Sequence, residues 1–359
     1  MRGRGLLTRL AQAQQLLESG QHAALLGQLS ACSPEDLDGF PELMLLCGIA
    51  HARLGEFAEG GRWAQRALDR AIARGHRAVE VRTLNVLGAI ALESGRIDDA
   101  TQYFVKAITA AKGEGDHGTV GRSAGNLGVI STMCGDYARA IGWYTMALAA
   151  YQRMDFRAGT ADVLNNLSVT YRDMGDYGRA IAIVDEALEA AEAAGERRLA
   201  NLAYGGRAEI RLLAGDVALA RREIEQAIAR ERELGDVVSE TEDLRVLAGA
   251  EAALGRIGVA HKLYHDVIER ATSFPRPLLV AQAQRDLARM LYKRGQVTEA
   301  VAVARSARDG FATLGVRIEV AKLDAMIGLA HLAHPGRAER QAATVAAAEP
   351  PGPHTYAMG

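Results

Sequence analysis

Apolar and small residues recur along this chain in a fixed order with a period of 40 residues. Steps of that length from Gly135 land on Gly55, Gly95, Gly175, Gly215, Gly255 and Gly295, with no insertion. Two residues after each glycine stand Phe57, Ile97, Tyr137, Tyr177, Val217, Ile257 and Val297. Five after stand Gly60, Ala100, Ala140, Ala180, Ala220, Ala260 and Ala300, and twelve after Ala67, Ala107, Ala147, Ala187, Ala227, Val267 and Ala307. Eight before stand Cys47, Leu87, Leu127, Leu167, Arg207, Leu247 and Leu287, and seven before Gly48, Gly88, Gly128, Ser168, Ala208, Ala248 and Ala288. Offsets of three, four and seven share one helical face. Small residues on that face let two helices approach, and large apolar ones fill the space beside them.

A second punctuation column lies midway: Gly75, Gly115, Asp155, Gly195, Gly235, Pro275 and Gly315. The chain therefore turns about every 20 residues, and each segment reads as one helix of roughly 16 residues, about 24 Å long. Glycine suits the left-handed residue that closes a helix, and Asp136, Asp176 and Asp216 suit the N-cap of the next. Turns this short make successive helices antiparallel.

The columns of leucine, small residue, glycine, aromatic or aliphatic residue, alanine and alanine resemble the tetratricopeptide pattern. The segment from Asn165 to Leu188, NNLSVTYRDMGDYGRAIAIVDEAL, is a close match. The period resembles the longer-helix subclass found in bacterial MalT-like regulators and in scaffolds that bind GoLoco-type partners. The resemblance covers residues 42 to about 334. It implies an all-α fold, a right-handed superhelical solenoid of antiparallel helix pairs. The expected organisation is a degenerate N-terminal capping repeat over 1–41, seven repeats over 42–316, a C-terminal capping helix over 317–334 and a disordered tail over 335–359. The tail carries Pro350, Pro351 and Pro353 and shows no helical period.

Composition narrows the function. A formal net charge of −2 supplies no global field toward nucleic acid or an anionic membrane. The three cysteines, Cys32, Cys47 and Cys134, form no C-x-x-C pair, so neither a disulfide framework nor a zinc module is expected, and a reducing cytoplasm fits. Arg2 and Arg4 precede Leu6 and Leu7, but Thr8, Arg9 and Gln12 follow at once, so no signal peptide is expected. No apolar run is long enough to span a membrane.

Three motifs invite a catalytic or metal reading. GRSAG, from Gly121 to Gly125, matches G-x-S-x-G, but a nucleophile elbow needs a strand before its serine, and Ser123 falls inside a predicted helix. GEGDHG, from Gly113 to Gly118, matches G-x-G-x-x-G at a junction between two helices rather than in a βαβ unit. His261 and His265 stand four apart with Glu269 one turn on; Lys262 occupies the place where the zinc protease motif has glutamate, so a solvated face is expected. No Walker A motif, paired carboxylates in a glycine-rich loop or cysteine–histidine constellation is present. The chain is expected to be no enzyme and to hold no metal and no cofactor.

The resemblance implies that the first helix of each repeat lines a concave surface. Residues 13, 10, 9, 6 and 3 before each marker glycine share a face distinct from the packing face. That face supplies the candidate binding residues Arg82, Asn85, Arg122, Asn126, Asp162, Asn165, Asn166, Arg172, Arg245, Arg285 and Arg289, with Ala89, Val129, Val169 and Tyr292 between them. Asn126 and Asn166 resemble the groove asparagine with which family members grip a ligand's backbone; a side-chain amide offers one donor and one acceptor group to an extended peptide. Arg82 and Arg122 suit carboxylates. The family's two-lysine, two-asparagine, one-arginine clamp for chaperone C-termini is not reproduced.

Gly205 and Gly206 interrupt a predicted helix, and Arg207 replaces the expected buried leucine, which leaves open tight packing with a snorkelling arginine or a hinge or notch. FPRP, from Phe274 to Pro277, predicts a break between repeats. The expected function is a non-enzymatic adaptor or sensor of a bacterial cytoplasm, binding a protein or peptide, with no direct nucleic acid or membrane contact, as a monomer or homodimer. The alternatives are a self-associating scaffold and a regulatory subunit of a signalling or transcription system that acts through a partner.

Overall fold

The computed structural model describes residues 2–333 except Pro275, and the expected tail over 335–359 lies outside the described residues. All regular structure among the described residues is helical. The chain divides into two compact units, Met1–Ala214 and Gly215–Gly359. Unit 1 holds α1 (Arg2–Glu18), α2 (His22–Ser30), α3 (Pro34–Gly39), α4 (Pro41–Arg53), α5 (Phe57–Arg74), α6 (Arg77–Glu93), α7 (Ile97–Glu114), α8 (His117–Met133), α9 (Tyr137–Gln152), α10 (Arg157–Asp173), α11 (Tyr177–Ala193) and α12 (Arg197–Ala214). Unit 2 holds α13 (Val217–Leu234), α14 (Val237–Ala253), α15 (Ile257–Ser273), α16 (Pro277–Lys293), α17 (Val297–Thr313) and α18 (Arg317–Ala333).

The predicted punctuation produces these ends. Each marker glycine takes a left-handed backbone, and the midway glycines do the same; Gly75 has φ 68° and Gly135 φ 76°. The amide after the glycine then reaches back to close the preceding helix, as His76 N–H does on Ala71 O at 2.8 Å. Asp155 adopts the same conformation at φ 49° without being glycine. Asp136 and Asp176 cap α9 and α11 by accepting the Arg139 and Arg179 amides. Asp216 stands at the N-cap of α13 but its side chain makes no capping bond, contrary to expectation. Asp116 and Asp236, after midway glycines, cap α8 and α14. At FPRP the chain is extended at Phe274, and Pro277 opens α16. Proline fits a first helical turn because its missing N–H has no partner there.

The helices of each repeat pack as pairs, α4 on α5, α6 on α7, α8 on α9 and α10 on α11 in unit 1, and α14 on α15 and α16 on α17 in unit 2. The alanines five and twelve residues past the glycines are essentially fully buried. Residue size across the pair is matched. A Cβ on Gly128 would stand 2.4 Å from the Tyr144 ring, and one on Gly88 would stand 2.6 Å from the Phe104 ring. Those glycines are the seats of the two aromatic rings, both fully buried. In the eight-before column, Leu247 is only half-buried. Arg207 carries its charge outward: Nη1 donates to Asp185 Oδ1 at 2.7 Å, and its guanidinium lies 5.1 Å from the Tyr204 ring centre. Gly205 and Gly206 lie within the uninterrupted helix α12.

Unit 2 contains a buried acid. Glu231, 1% exposed, ends in a carboxyl that burial and the neighbouring charges of Asp236, Glu242 and Glu240 push from 4.5 up to about 7, against a hydrogen bond with Asp243. The folded state holds this proton more tightly than the unfolded chain. Its contribution to stability is therefore complete below about 4.5 and is lost as pH rises through about 7.

Two predictions follow from this packing. Gly128→Ala is expected to lower stability by about 2 kcal/mol, because the Tyr144 ring cannot vacate its seat, whereas Gly142→Ala, in open space on α9, is expected to raise it by about 1 kcal/mol. Chemical denaturation of both variants measures the difference in sign. Glu231→Gln is expected to raise the melting temperature at pH 8 and to lose that advantage toward pH 5; an equal effect at both values would show that ionisation of Glu231 does not limit stability.

Candidate functional site

The candidate face is built by the first helices of the repeats, and the structure sorts its residues by whether their polar groups are already engaged. On α6, Asn85 Oδ1 accepts a hydrogen bond from the Ser123 hydroxyl of α8 at 2.9 Å, so it joins neighbouring repeats. On α10, Arg172 bonds Asp173 Oδ1 at 2.9 Å and Glu209 Oε2 of α12 at 2.5 Å. Asn126, Asn165 and Asn166, half-buried on α8 and α10, make no side-chain hydrogen bond within the described residues. A Cβ on Gly206 would meet only Asn165 Oδ1, at 3.6 Å, so the second glycine of α12 leaves room beside that amide.

Arg82, Arg122 and Asp162 are exposed at the same register of α6, α8 and α10. Arg122 donates to Thr119 Oγ1 at 3.2 Å and makes no ion pair. Burial raises the Asp162 carboxyl above the ordinary aspartate range although its surface reaches solvent. Tyr151, from the second helix α9, comes to the same place. Burial pushes its phenol up to about 12, with Arg122 acting to lower it and Asp162 to raise it. A search limited to first-helix faces misses Tyr151. Its signal in the sequence is the pair Gly121 and Gly159, where added Cβ atoms would stand 2.3 Å and 2.8 Å from its ring.

The three arginines expected on the face of unit 2 behave differently. Arg245 Nη1 donates to Asp286 Oδ2 at 2.7 Å, and Arg285 donates to Asp286 Oδ1 at 2.9 Å and to Glu319 Oε2 at 3.1 Å. Burial opposes ionisation of Asp286, but Arg285 and Arg245 outweigh it and hold the carboxyl below its ordinary range. Lys322 takes Glu319 Oε1 at 2.7 Å. Arg289 lies 3.8 Å from Asp286 and 3.6 Å from Glu319, with burial and the Arg285 charge lowering its pKa. Arg245 and Arg285 therefore tie α14, α16 and α18 together, and Arg289 remains the more exposed.

The catalytic and metal motifs take structural places. Ser123 is fully buried in the middle of α8 with its hydroxyl given to Asn85. Gly115 is the left-handed end of α7 and Asp116 the cap of α8. The His261 and His265 rings lie 4.5 Å apart, with His261 Nε2 3.4 Å from Glu299 Oε1. No group of three or more histidine, cysteine, aspartate or glutamate side chains placed to hold a metal ion occurs among the described residues. No described helix is long and apolar enough to cross a membrane.

Models of the tetratricopeptide repeat match residues 42–113 and 119–193, and again 166–235 and 246–313. No curated protein matches the chain. Among solved structures, a Rap protein complexed with Competence and Sporulation Factor is similar at TM-score 0.60 and 12% identity, over 91% of this chain and 98% of that one. Aspartyl phosphate phosphatase F from Bacillus subtilis is similar at TM-score 0.55 and 12% identity, over 89% and 93%. A tetratricopeptide repeat protein from Parabacteroides merdae is similar at TM-score 0.54 and 15% identity, over 81% and 98%. Identities this low speak for the fold, an all-α solenoid of helix pairs.

The sorting of asparagines predicts opposite responses to truncation. Asn85→Ala should destabilise the chain by about 1 kcal/mol, since it strands the buried Ser123 hydroxyl. Asn126→Ala and Asn166→Ala should stay within about 0.5 kcal/mol of wild type. Thermal unfolding checks this, and an equal loss for all three would mean that Asn126 and Asn166 also serve the fold.

Proposed function

The chain belongs to the tetratricopeptide repeat family, and on that premise we propose that it is a non-enzymatic adaptor or sensor that holds an extended segment of another protein. The segment lies along α6, α8 and α10 of unit 1. The observation that carries this reading is the row of unengaged side-chain amides, Asn126, Asn165 and Asn166. Asparagine is a poor residue for a helix interior, and the side-chain amides of these three make no hydrogen bond within the described residues. Each presents a donor and an acceptor group that match the alternating C=O and N–H of an extended backbone. A protein partner also agrees with the similar Rap protein, which is complexed with Competence and Sporulation Factor.

The test is affinity capture from the native lysate with wild type and with an Arg122→Ala, Asn126→Ala, Asn166→Ala variant whose circular dichroism is unchanged. A partner held by wild type and lost by the variant is the expected result. Equal retention would place the working surface elsewhere.

A second reading, self-association, is favoured by α18, whose Leu329 and Leu332 are 59% and 79% exposed. It predicts a concentration-dependent oligomer in light scattering that the same triple variant leaves unchanged.

A further inference from the structure

Arg82, Arg122 and Asp162 recur at one register, 40 residues apart, on three successive first helices of unit 1. They differ from the other charged residues of that face in making no ion pair. Arg172 is paired with Glu209 and Asp173. Arg82 and Asp162 make no hydrogen bond or ion pair within the described residues, and Arg122 bonds only the Thr119 hydroxyl. Burial opposes ionisation of Asp116, at the start of the same helix, but the Thr119 hydroxyl at 2.6 Å and amide at 2.9 Å, with the nearby Arg122 charge, outweigh it without an Arg122–Asp116 ion pair forming. Arg122 and Asp162 both act on the Tyr151 phenol, with opposite sign, yet do not pair with each other. Moving along the row from α6 to α10, the charge runs positive, positive, negative.

We propose that this row reads the charge order of the bound segment, with two acidic side chains lying over α6 and α8 and one basic side chain over α10. The inference rests on the binding surface assigned above and adds the chemistry of its partner. The desolvated Asp162 carboxylate gains a countercharge from the basic side chain, and Arg82 and Arg122 offer planar N–H pairs to carboxylates. A segment with the opposite signs meets like charges at all three positions, which is how charged surfaces reject wrong partners. Specificity then comes from the charge row and grip on the backbone from the amides.

The test uses the full chain and two labelled glycine–serine peptides, read by fluorescence anisotropy. One carries two cysteic acids followed by one lysine, the other two lysines followed by one cysteic acid; cysteic acid keeps its charge at every pH used. Wild type is expected to prefer the first by about tenfold, a difference of about 1.4 kcal/mol. An Arg82→Glu, Arg122→Glu, Asp162→Lys variant, folded by circular dichroism, should invert the preference. Affinity of wild type for the first peptide should fall as pH drops through the raised range of Asp162, and Asp162→Asn should flatten that profile. Equal binding of both peptides, weakened by Asn126→Ala and Asn166→Ala, would overturn the charge row and leave the amide surface standing. A preference that ignores the asparagine variants would keep the charge row and overturn the amide grip. Failure of both peptides to bind would overturn both.

Discussion

Two helices joined by a turn of about three residues can bury their apolar faces only if their backbones come close, and side chains set that distance. In this protein the limit is reached at Gly48 and Gly60, where a Cβ on Gly60 would stand 2.8 Å from the Gly48 carbonyl oxygen. It is reached again at Gly88 and Gly128, which seat the rings of Phe104 and Tyr144. The alanine columns are buried in the other repeats. This close approach uses one face of each first helix. The opposite face is then free to carry polar groups that the fold does not require.

How those groups are used differs between the two units. In unit 2, Arg245 and Arg285 are held by Asp286 and Glu319, four carboxylate oxygens each with a donor, and the result is a charged core that binds α14, α16 and α18. A buried pair of this kind is destabilised strongly if one partner is removed, because the other is left without a countercharge. In unit 1 the links between first helices are mostly neutral: Asn85 with Ser123, and Thr132 with Thr170 at 2.7 Å, beside the ion pair of Arg172 with Glu209. Asn126, Asn165, Asn166, Arg82 and Asp162 lie among these links and take no part in them. A surface that retains unpaired amides and charges beside a rigid helix scaffold is suited to recognition, because little has to reorganise when a ligand arrives.

Helix positions and pairing were readable from the amino-acid order because both depend on local chemistry. A glycine tolerates the left-handed turn, an aspartate caps the next helix, and an alanine or glycine column marks the face that packs. The limits of that reading are equally local. Asp216 has the residue type and position of a cap without forming its bond, and Asp155 takes the glycine conformation without being glycine. Arg207 keeps the register of a core leucine, but its length lets the charge leave the core and reach Asp185. Tyr151 belongs to a second helix, so no rule about first-helix faces could bring it between Arg122 and Asp162.

The sequence by itself determined the period, the helix pairs, the family and the set of residues on the candidate face, since each follows from spacing along one chain. Which of those residues are already engaged was decided only by the tertiary structure. Asn85 and Asn165 hold the same register position, and so do Arg245 and Arg285. The partner that distinguishes them stands on a neighbouring helix 34 to 41 residues away: Ser123 for Asn85, Asp286 for Arg245 and Glu319 for Arg285. Hydrogen bonds and ion pairs act over a few ångströms of space, and only the packing of successive repeats converts a distance along the chain into such a contact.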